Sequence, residues 1–588
     1  MEIKRVFDLL PLFASKNTRP DALVAKENGT WKKYSTADFI DYVDHLSYGL
    51  SNIGINKDDK VAIIANNRPE WNFADYASQQ CGAISVPIYP TISLKDLIFI
   101  LNDAQVKLVF VSSSELYEKV KEAAKDAPSV KFIYSFNEIK EVKHWKELYQ
   151  NGKTNPAKDK IEQIKASIGN NDLLTILYTS GTTGTPKGVM LSHNNLLSNS
   201  FATQNLAPFQ KHWTALSFLP LNHVYERMLN TLYIYLGLGI YYAESLETIG
   251  DNLKEVKPQV FATVPRLLEK VYDKIVAKGH EQTGIKKTLF FWALDLGLRY
   301  ELDGANGWWY EFQLNIANKL VFSKWREALG GNVQAAVSGG AALQPRLARV
   351  FNAAKIMVLE GYGLTETSPV IAVNSFKPKG IQFGTVGDVI DGVTVKIAED
   401  GEILVKGPNV MLGYYNRPDA TAEVMDSEGW FHTGDIGTFI NNRYLKITDR
   451  KKEIFKTSGG KYIAPIMIEN KLKESPFIEQ ALVVGENQKY AAALLVPSFL
   501  ALKDWAAKHN INYTSNEEVI TKKEVLELID KEIAESNKTL APYETIKRVT
   551  LLPREWTIEK GEMTPKLSLK RKVIMEANKQ MVDKMFSE

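Results

Sequence analysis

Five short apolar runs recur through the first third of the chain: "KVAIIAN" (60–66), "AISVPIY" (83–89), "VKLVFVS" (106–112), "VKFIYSF" (130–136) and "LLTILYTSG" (173–181). Polar turns bound each run and amphipathic stretches separate them. Runs this short and this rich in β-branched residues suit strands covered on both faces, and that covering requires helical crossovers. The expectation is an α/β sheet. One crossover is explicit: "STADFIDYVDHLSYGLSNIG" (35–54) spaces its apolar residues by three and four and stops at a glycine. The alternation returns at "PQVFATV" (258–264), "VQAAVSGG" (333–340) and "KIMVLEGYG" (355–363).

At 588 residues the chain exceeds one ordinary core, so two or more domains are expected. Residues 266–330 are rich in helix formers and aromatics, including Trp308, Trp309 and Trp325. Helix packing is the expected use of these tryptophans, and a substrate wall the alternative. From about 384 the texture changes to dense Gly and Asp turns between alternating strands, which predicts a small β subdomain. Helical patterns follow at 466–475, 515–537 and 570–585.

The composition is that of an ordinary globular protein, with 45% hydrophobic and 24% charged residues. A net charge of +3 without a dominant basic block gives no footprint for nucleic acid. The single cysteine, Cys81, excludes an internal disulfide and CxxC metal sites. The N-terminal "MEIKRVFDLLPLFASKN" lacks the features of a signal peptide. The most apolar window, "LYIYLGLGIYYA" (232–243), is shorter than the roughly 18 residues of a spanning helix. It predicts a buried helix and strand. The expectation is a cytoplasmic enzyme with possible peripheral membrane contact.

The stretch "YTSGTTGTPKGVMLSH" (178–193) carries the chemistry. Gly181, Gly184 and Gly188 let backbone amides approach a ligand. The hydroxyls of Thr179, Ser180, Thr182, Thr183 and Thr185 can donate to anionic oxygens, and Lys187 adds a mobile cation. This composition cradles phosphate. It is not the G-x-x-x-x-G-K-[ST] loop, because the sixth residue counted from Gly181 is Pro186.

"YTSGTTGTPKGV" resembles the phosphate loop of the adenylate-forming superfamily, which includes acyl-CoA synthetases, peptide-synthetase adenylation domains and firefly luciferase. "SFLPLNHVYER" (217–227), "SGGAAL" (338–343), "EGYGLTETSP" (360–369), "GWFHTGD" (429–435) and "ITDRKKEIFKTSGGKYIAPIMIE" (447–469) follow in the family's order. "PLNHVYER" and "EGYGLTETSP" look most like the long-chain fatty acyl-CoA synthetase branch. The fold implied is α/β: a large N-terminal domain of two stacked α/β subdomains plus a small β subdomain (1–448), and a smaller mobile α+β C-terminal domain (449–588) swivelling near Asp449.

The reaction implied has two steps. A long-chain fatty carboxylate attacks the α-phosphorus of ATP, releasing pyrophosphate, and coenzyme A thiolate then displaces AMP. By resemblance, the loop from Thr179 to Lys187 holds the β- and γ-phosphates, Thr365 contacts the α-phosphate, and Glu366 is the Mg²⁺ ligand. Gly339, Gly340, Ala341, Gly361, Tyr362 and Gly363 form the adenine slot. Asp435 accepts from the ribose hydroxyls with Arg450 beside it. His223 lines the acyl-carboxylate site, although Glu226 and Arg227 next to it could form a local ion pair. Ser458, Gly459 and Gly460 lie beside the pantetheine in the second step.

The family's C-terminal catalytic lysine sits in a stretch like T-P-T-L-K-x-K-R. Here "GEMTPKLSLKRKVI" (561–574) puts Ser568 at that position, with Lys566 and Lys570 two residues either side. A two-residue step in extended chain keeps a side chain on the same face, so either lysine could deliver the charge. The alternatives to a CoA ligase are a fatty acyl-AMP ligase serving a carrier protein and a non-catalytic nucleotide or acyl binding protein of the same fold.

Overall fold

The computed structural model describes residues 2–179, 185–557, 560–564 and 569–587. Two large sheets carry the N-terminal part. A seven-stranded sheet is built around the predicted runs, with Lys60–Ile64 central and parallel to both Ile84–Pro87 and Val106–Val111. Phe132–Ser135 extends it on one side and Leu173–Thr179 on the other. Leu173–Thr179 then turns back antiparallel into Lys187–Ser192.

The second sheet has nine strands, with Thr214–Ser217, Val260–Thr263, Ala335–Ser338 and Met357–Gly363 running parallel through its middle. Its far edge is an N-terminal hairpin, Leu23–Glu27 with Thr30–Tyr34, docked on Gly239–Tyr242. The window 232–243 splits as expected into the end of a helix, Val224–Leu236, and that strand. Gly237 at φ 79° makes the left-handed stop between them.

The helix between the first strands, Thr36–Asn52, begins at a capping box in which Ser35 accepts from the amide of Asp38 and the Asp38 carboxylate accepts from the amide of Ser35. It buries Phe39, Val43, Leu46 and Leu50, the face its spacing predicted.

The small β subdomain is a four-stranded antiparallel sheet of Thr394–Ile397, Glu402–Lys406, Phe431–Ile440 and Tyr444–Arg450. Beyond it stands an α+β unit with its own three-stranded sheet and core. The single helical pattern expected at 515–537 is two helices, Asn516–Val519 and Lys523–Asn537, and that at 570–585 is Arg571–Ala577 and Lys579–Phe586. No helix among the described residues is long and apolar enough to cross a membrane.

Candidate active site

The strands of both large sheets deliver their carboxyl ends to one place. Ala65, Tyr89, Phe218, Ala243, Val264 and Gly339 each directly follow or closely trail a strand, and all line one cavity of about 1540 Å³. Ligands of open α/β sheets bind in such a crevice, where crossover loops splay apart and backbone amides are left unpaired. One end of the cavity is edged by Gly339, Gly340, Gly361, Tyr362 and Gly363, and the other runs among the helices of residues 249–329. A polar rim is thus joined to a deep apolar interior.

At the rim, close packing selects the residues. A Cβ on Gly363 would lie 1.7 Å from the carbonyl oxygen of Pro369, so no side chain fits there. A Cβ on Gly188 would meet Ile176 at 2.7 Å, so this glycine serves hairpin packing rather than approach of a ligand. Gly339 lies under the ring of Tyr225, whose hydroxyl donates to the carbonyl of Val337 at 3.0 Å. Ala341 follows on the exposed side.

The phenol of Tyr362 donates to Asp435 Oδ2 at 2.7 Å, and Arg450 Nε stands 3.5 Å from Asp435 Oδ1. Burial raises the Asp435 pKa, with Arg450 and Tyr362 opposing the rise. Tyr362 is itself raised, first by burial and then by the Asp435 charge. Tyr362 and Asp435, 73 residues apart and expected from the sequence at adenine and ribose, are therefore one hydrogen-bonded unit.

A second chain of contacts joins the loop hairpin to "GLTETSP". Lys187 lies over the ring of Tyr414 at 5.1 Å, and the Tyr414 hydroxyl donates to Glu366 Oε1 at 2.9 Å. Glu366 and the buried Thr365 occupy a short 3₁₀ turn directly after the strand that carries Tyr362. Thr179 and Lys187 pair across the hairpin, and Thr185 is exposed beside it. Ser180, Gly181, Thr182, Thr183 and Gly184 lie outside the described residues.

His223 lines the cavity and caps the helix Val224–Leu236, its Nδ1 accepting from the amide of Tyr225 at 3.0 Å. An Nδ1 that accepts leaves the ring proton on Nε2. Glu226 and Arg227 do not pair with each other. Arg227 reaches across to Asp75 at 2.7 and 3.0 Å and to Ser85 Oγ at 2.9 Å, while Asn230 donates to Glu226 at 3.2 Å. The two side chains leave a helix on different faces, and each found a buried partner on its own side. Burial pushes the Glu226 carboxyl up to about 8, against hydrogen bonds from Ser217 and Asn230.

Trp325 is buried and lines the cavity, but Trp308 and Trp309 are 79% and 57% exposed and are not in its lining. They neither pack in the core nor wall this cavity. The helix that carries them packs through Tyr310, Leu314 and Ala317 and turns both indoles outward.

The C-terminal unit also reaches the cavity, with Gln480, Trp556, Thr557 and Met563 in its lining. Gln480 holds the Trp556 backbone by accepting from its N–H at 2.8 Å. Arg266, also in the lining, clasps the two units together: it pairs with Glu269 at 3.4 Å in its own helix, and with Glu479 and Glu555 (2.9 Å) across the gap. Nothing in the local pattern around Arg266 signalled this.

Asp449 is buried; its carboxylate accepts from the amides of Arg450 at 2.6 Å and Ile466 at 3.2 Å. It thus caps the helix Pro465–Leu472 from the end of the small β sheet, and burial pushes its pKa up to about 7. Ser458, Gly459 and Gly460 form the turn between Phe455–Lys456 and Tyr462–Ile463 and are not in the cavity lining. Lys570 occupies the N-cap position of Arg571–Ala577 without a side-chain cap and is exposed, also outside the lining. Lys566 lies outside the described residues.

Residues 12–415 match the AMP-binding enzyme family, and residues 452–588 match the AMP-binding enzyme C-terminal domain. The chain therefore belongs to the AMP-binding enzymes of the adenylate-forming superfamily, on the long-chain fatty acyl-CoA synthetase branch. It is 31% identical over 586 residues to the long-chain-fatty-acid–CoA ligase FadD15 of Mycobacterium bovis, covering 96% of this chain and 94% of that one. With the Homo sapiens long-chain-fatty-acid–CoA ligase 1 it shares 32% over 571 residues, 90% and 78% of the two chains. The adenylation domain of a carboxylate reductase from Mycobacterium chelonae has the same fold, at TM-score 0.74 and 22% identity, covering 99% of this chain and 91% of that one.

Proposed function

We infer that the protein is an AMP-forming long-chain fatty acid–CoA ligase. The observation that carries this reading is a continuous cavity, with the glycine and tyrosine motifs at one end and an apolar interior at the other. Its full-length relatives named long-chain-fatty-acid–CoA ligases support the same reading. ATP, a long-chain fatty acid and coenzyme A are the substrates.

In the first step a fatty carboxylate oxygen bonds to the α-phosphorus of ATP and pyrophosphate leaves. In the second the CoA thiolate attacks the acyl carbon and AMP leaves. Both steps bring anions together, so positioning and charge stabilisation dominate the catalysis. The loop 179–187 grips the β- and γ-phosphates, and Lys187 closes over them. Thr365 donates to the α-phosphate, and His223, proton on Nε2, orients the carboxylate. Asp435 takes the ribose hydroxyls, with Arg450 beside it, and the adenine lies against Gly339–Ala341 and Gly361–Gly363.

Glu366 suits Mg²⁺: it is a hard oxygen donor held in place by Tyr414, and no cluster of three or more acidic, His or Cys ligands exists among the described residues. Glu366 would hold the ion from the protein side, and the ion would supply charge neutralisation to the phosphates.

Residues 1–448 form the adenylation domain and 449–588 the swivelling one. Trp556, Thr557 and Met563, which line the cavity, suit the first step, and the outward turn at Ser458–Gly460 would have to swing in for the second. Lys566 or Lys570 supplies the cation that Ser568 lacks.

The test is a panel of carboxylic acids of rising chain length, scored for AMP and acyl-CoA. Both products should rise together with chain length and require CoA for thioester. Release of acyl-AMP with no response to CoA would instead make it an acyl-AMP ligase, and no AMP at all would make it a binding protein.

A further inference from the structure

The helix Trp308–Ala317, continued by the π turn Asn318–Phe322, carries two separate apolar flanks, one turned inward and one outward. Its inner face, Tyr310, Leu314, Ala317 and Val321, is buried. Its outer face carries Trp309, Phe312, Ile316 and Leu320 at spacings of three and four, with Trp308 at its start. Trp308, Trp309, Phe312 and Leu320 are 79, 57, 53 and 55% exposed. Trp308 meets Trp309 edge-on at 5.6 Å and Trp309 stacks on Phe312 at 5.5 Å between ring centroids; with half-buried Ile316 and exposed Leu320 the stripe runs about 18 Å from 308 to 320. A globular surface seldom shows a large contiguous aromatic strip unless it meets something.

The stripe ends at the mouth of the cavity. Leu320 is exposed and also lines the cavity, and so does Lys324 one turn further on. Around that mouth Lys270, Lys274 and Lys278 repeat every four residues along the helix Pro265–Glu281, with Lys254 and Lys286 beyond. All six lysines are exposed while lining the cavity, so it opens to solvent among them. Glu244, Glu247 and Asp251 are the rim's carboxylates there, and Lys324 pairs with Glu327, so the rim remains net cationic. Ile285, 85% exposed, stands next to Lys286.

We propose that this stripe and the lysine rim dock the protein on an anionic lipid bilayer, so that the distal mouth of the cavity opens onto the membrane. Indoles and a phenyl ring insert at the headgroup level, and lysines pair with headgroup phosphates. A fatty acid dissolved in the bilayer then enters tail and all without crossing water. Charge complementarity and the shared mouth favour a lipid surface over a second copy of the chain, whose own rim would be cationic too. The route for substrate rests on the ligase reading; the docking itself does not.

The test is flotation of the full-length protein with phosphatidylcholine vesicles containing phosphatidylglycerol, without ATP or CoA. Binding should fall roughly tenfold or more in Trp308→Ser/Trp309→Ser/Phe312→Ser, and by a similar factor on vesicles of phosphatidylcholine alone. The triple variant should keep wild-type activity on octanoate dissolved below its micelle concentration, which also reports that it folds. Lys274→Glu/Lys278→Glu should weaken flotation most at low salt. Wild-type protein that stays off anionic vesicles, or a triple variant that floats as well as wild type, overturns the proposal. So does a wild-type dimer in sedimentation that the triple variant dissolves while vesicles bind neither. If the protein floats as expected but makes no acyl-CoA, the ligase reading fails and the docking stands.

Discussion

Arg266→Ala removes the guanidinium on which Glu269, Glu479 and Glu555 converge at the joint between the two units. Glu555 is 44% exposed, so its pair contributes little through solvent screening. Glu479 and Glu269 are 15% and 12% exposed, and there the loss leaves carboxylates poorly solvated and close together. Breaking a fully buried pair costs about 3–5 kcal/mol; discounting for the partial exposure here leaves about 2–3 kcal/mol. If that energy holds Trp556 and Met563 against the cavity, the closed-to-open ratio falls roughly 30- to 150-fold. The assay measures fatty-acid-dependent ATP–pyrophosphate exchange beside acyl transfer to CoA from supplied acyl-AMP. The variant should lose the first by about that factor and keep the second. Equal losses in both half-reactions, or none in either, would refute the claim that the clasp serves the first-step arrangement.

Glu226 gives a pH signature. Its folded pKa of about 8 lies above its unfolded value, so the folded state holds the extra proton between roughly pH 4.5 and 8. Its contribution is intact below that window and is lost as pH rises through it, by up to about 5 kcal/mol. Glu226→Gln stays neutral throughout, so the stability difference between wild type and variant, read from thermal unfolding, should shift against wild type from pH 5 to 8. Identical slopes would show that the carboxyl is charged inside the fold. Gly363→Ala drives a methyl into the Pro369 carbonyl and should abolish ATP binding, measured by calorimetry, even where the protein still folds. At least one of Lys566→Ala and Lys570→Ala should cut adenylation sharply, roughly 100-fold, while thioester formation from supplied acyl-AMP survives. Normal adenylation by the double variant would remove both lysines from the chemistry.

The strands were legible because burial on both faces writes itself as a run of Val and Ile, as at Lys60–Ile64 and Val106–Val111. The helix Thr36–Asn52 was legible because its cap and its periodicity are local. The N-terminal hairpin's place beside Gly239–Tyr242 was not, since registers between strands more than 200 residues apart leave no local trace. The same holds within the site. Motif order assigned Tyr362, Glu366 and Asp435 to one expected nucleotide site, but not the bonds they make: Tyr362 to Asp435, and Tyr414 to Glu366. Arg227 beside Glu226 invited a local pair, and only the tertiary structure shows Asp75 waiting 152 positions away. Trp308 and Trp309 misled for a different reason. Aromatic helices usually face a core, and exposure of both indoles is decided by which side of the helix Tyr310 and Leu314 claim.

The most direct measurement follows a heavy-oxygen label placed in both carboxyl oxygens of palmitate through one turnover with ATP and CoA. A carboxylate oxygen that bonds to the α-phosphorus must leave with it, so one labelled oxygen should appear in AMP and one should remain in the thioester. Label in pyrophosphate or inorganic phosphate, or formation of ADP with unlabelled AMP, would contradict the account.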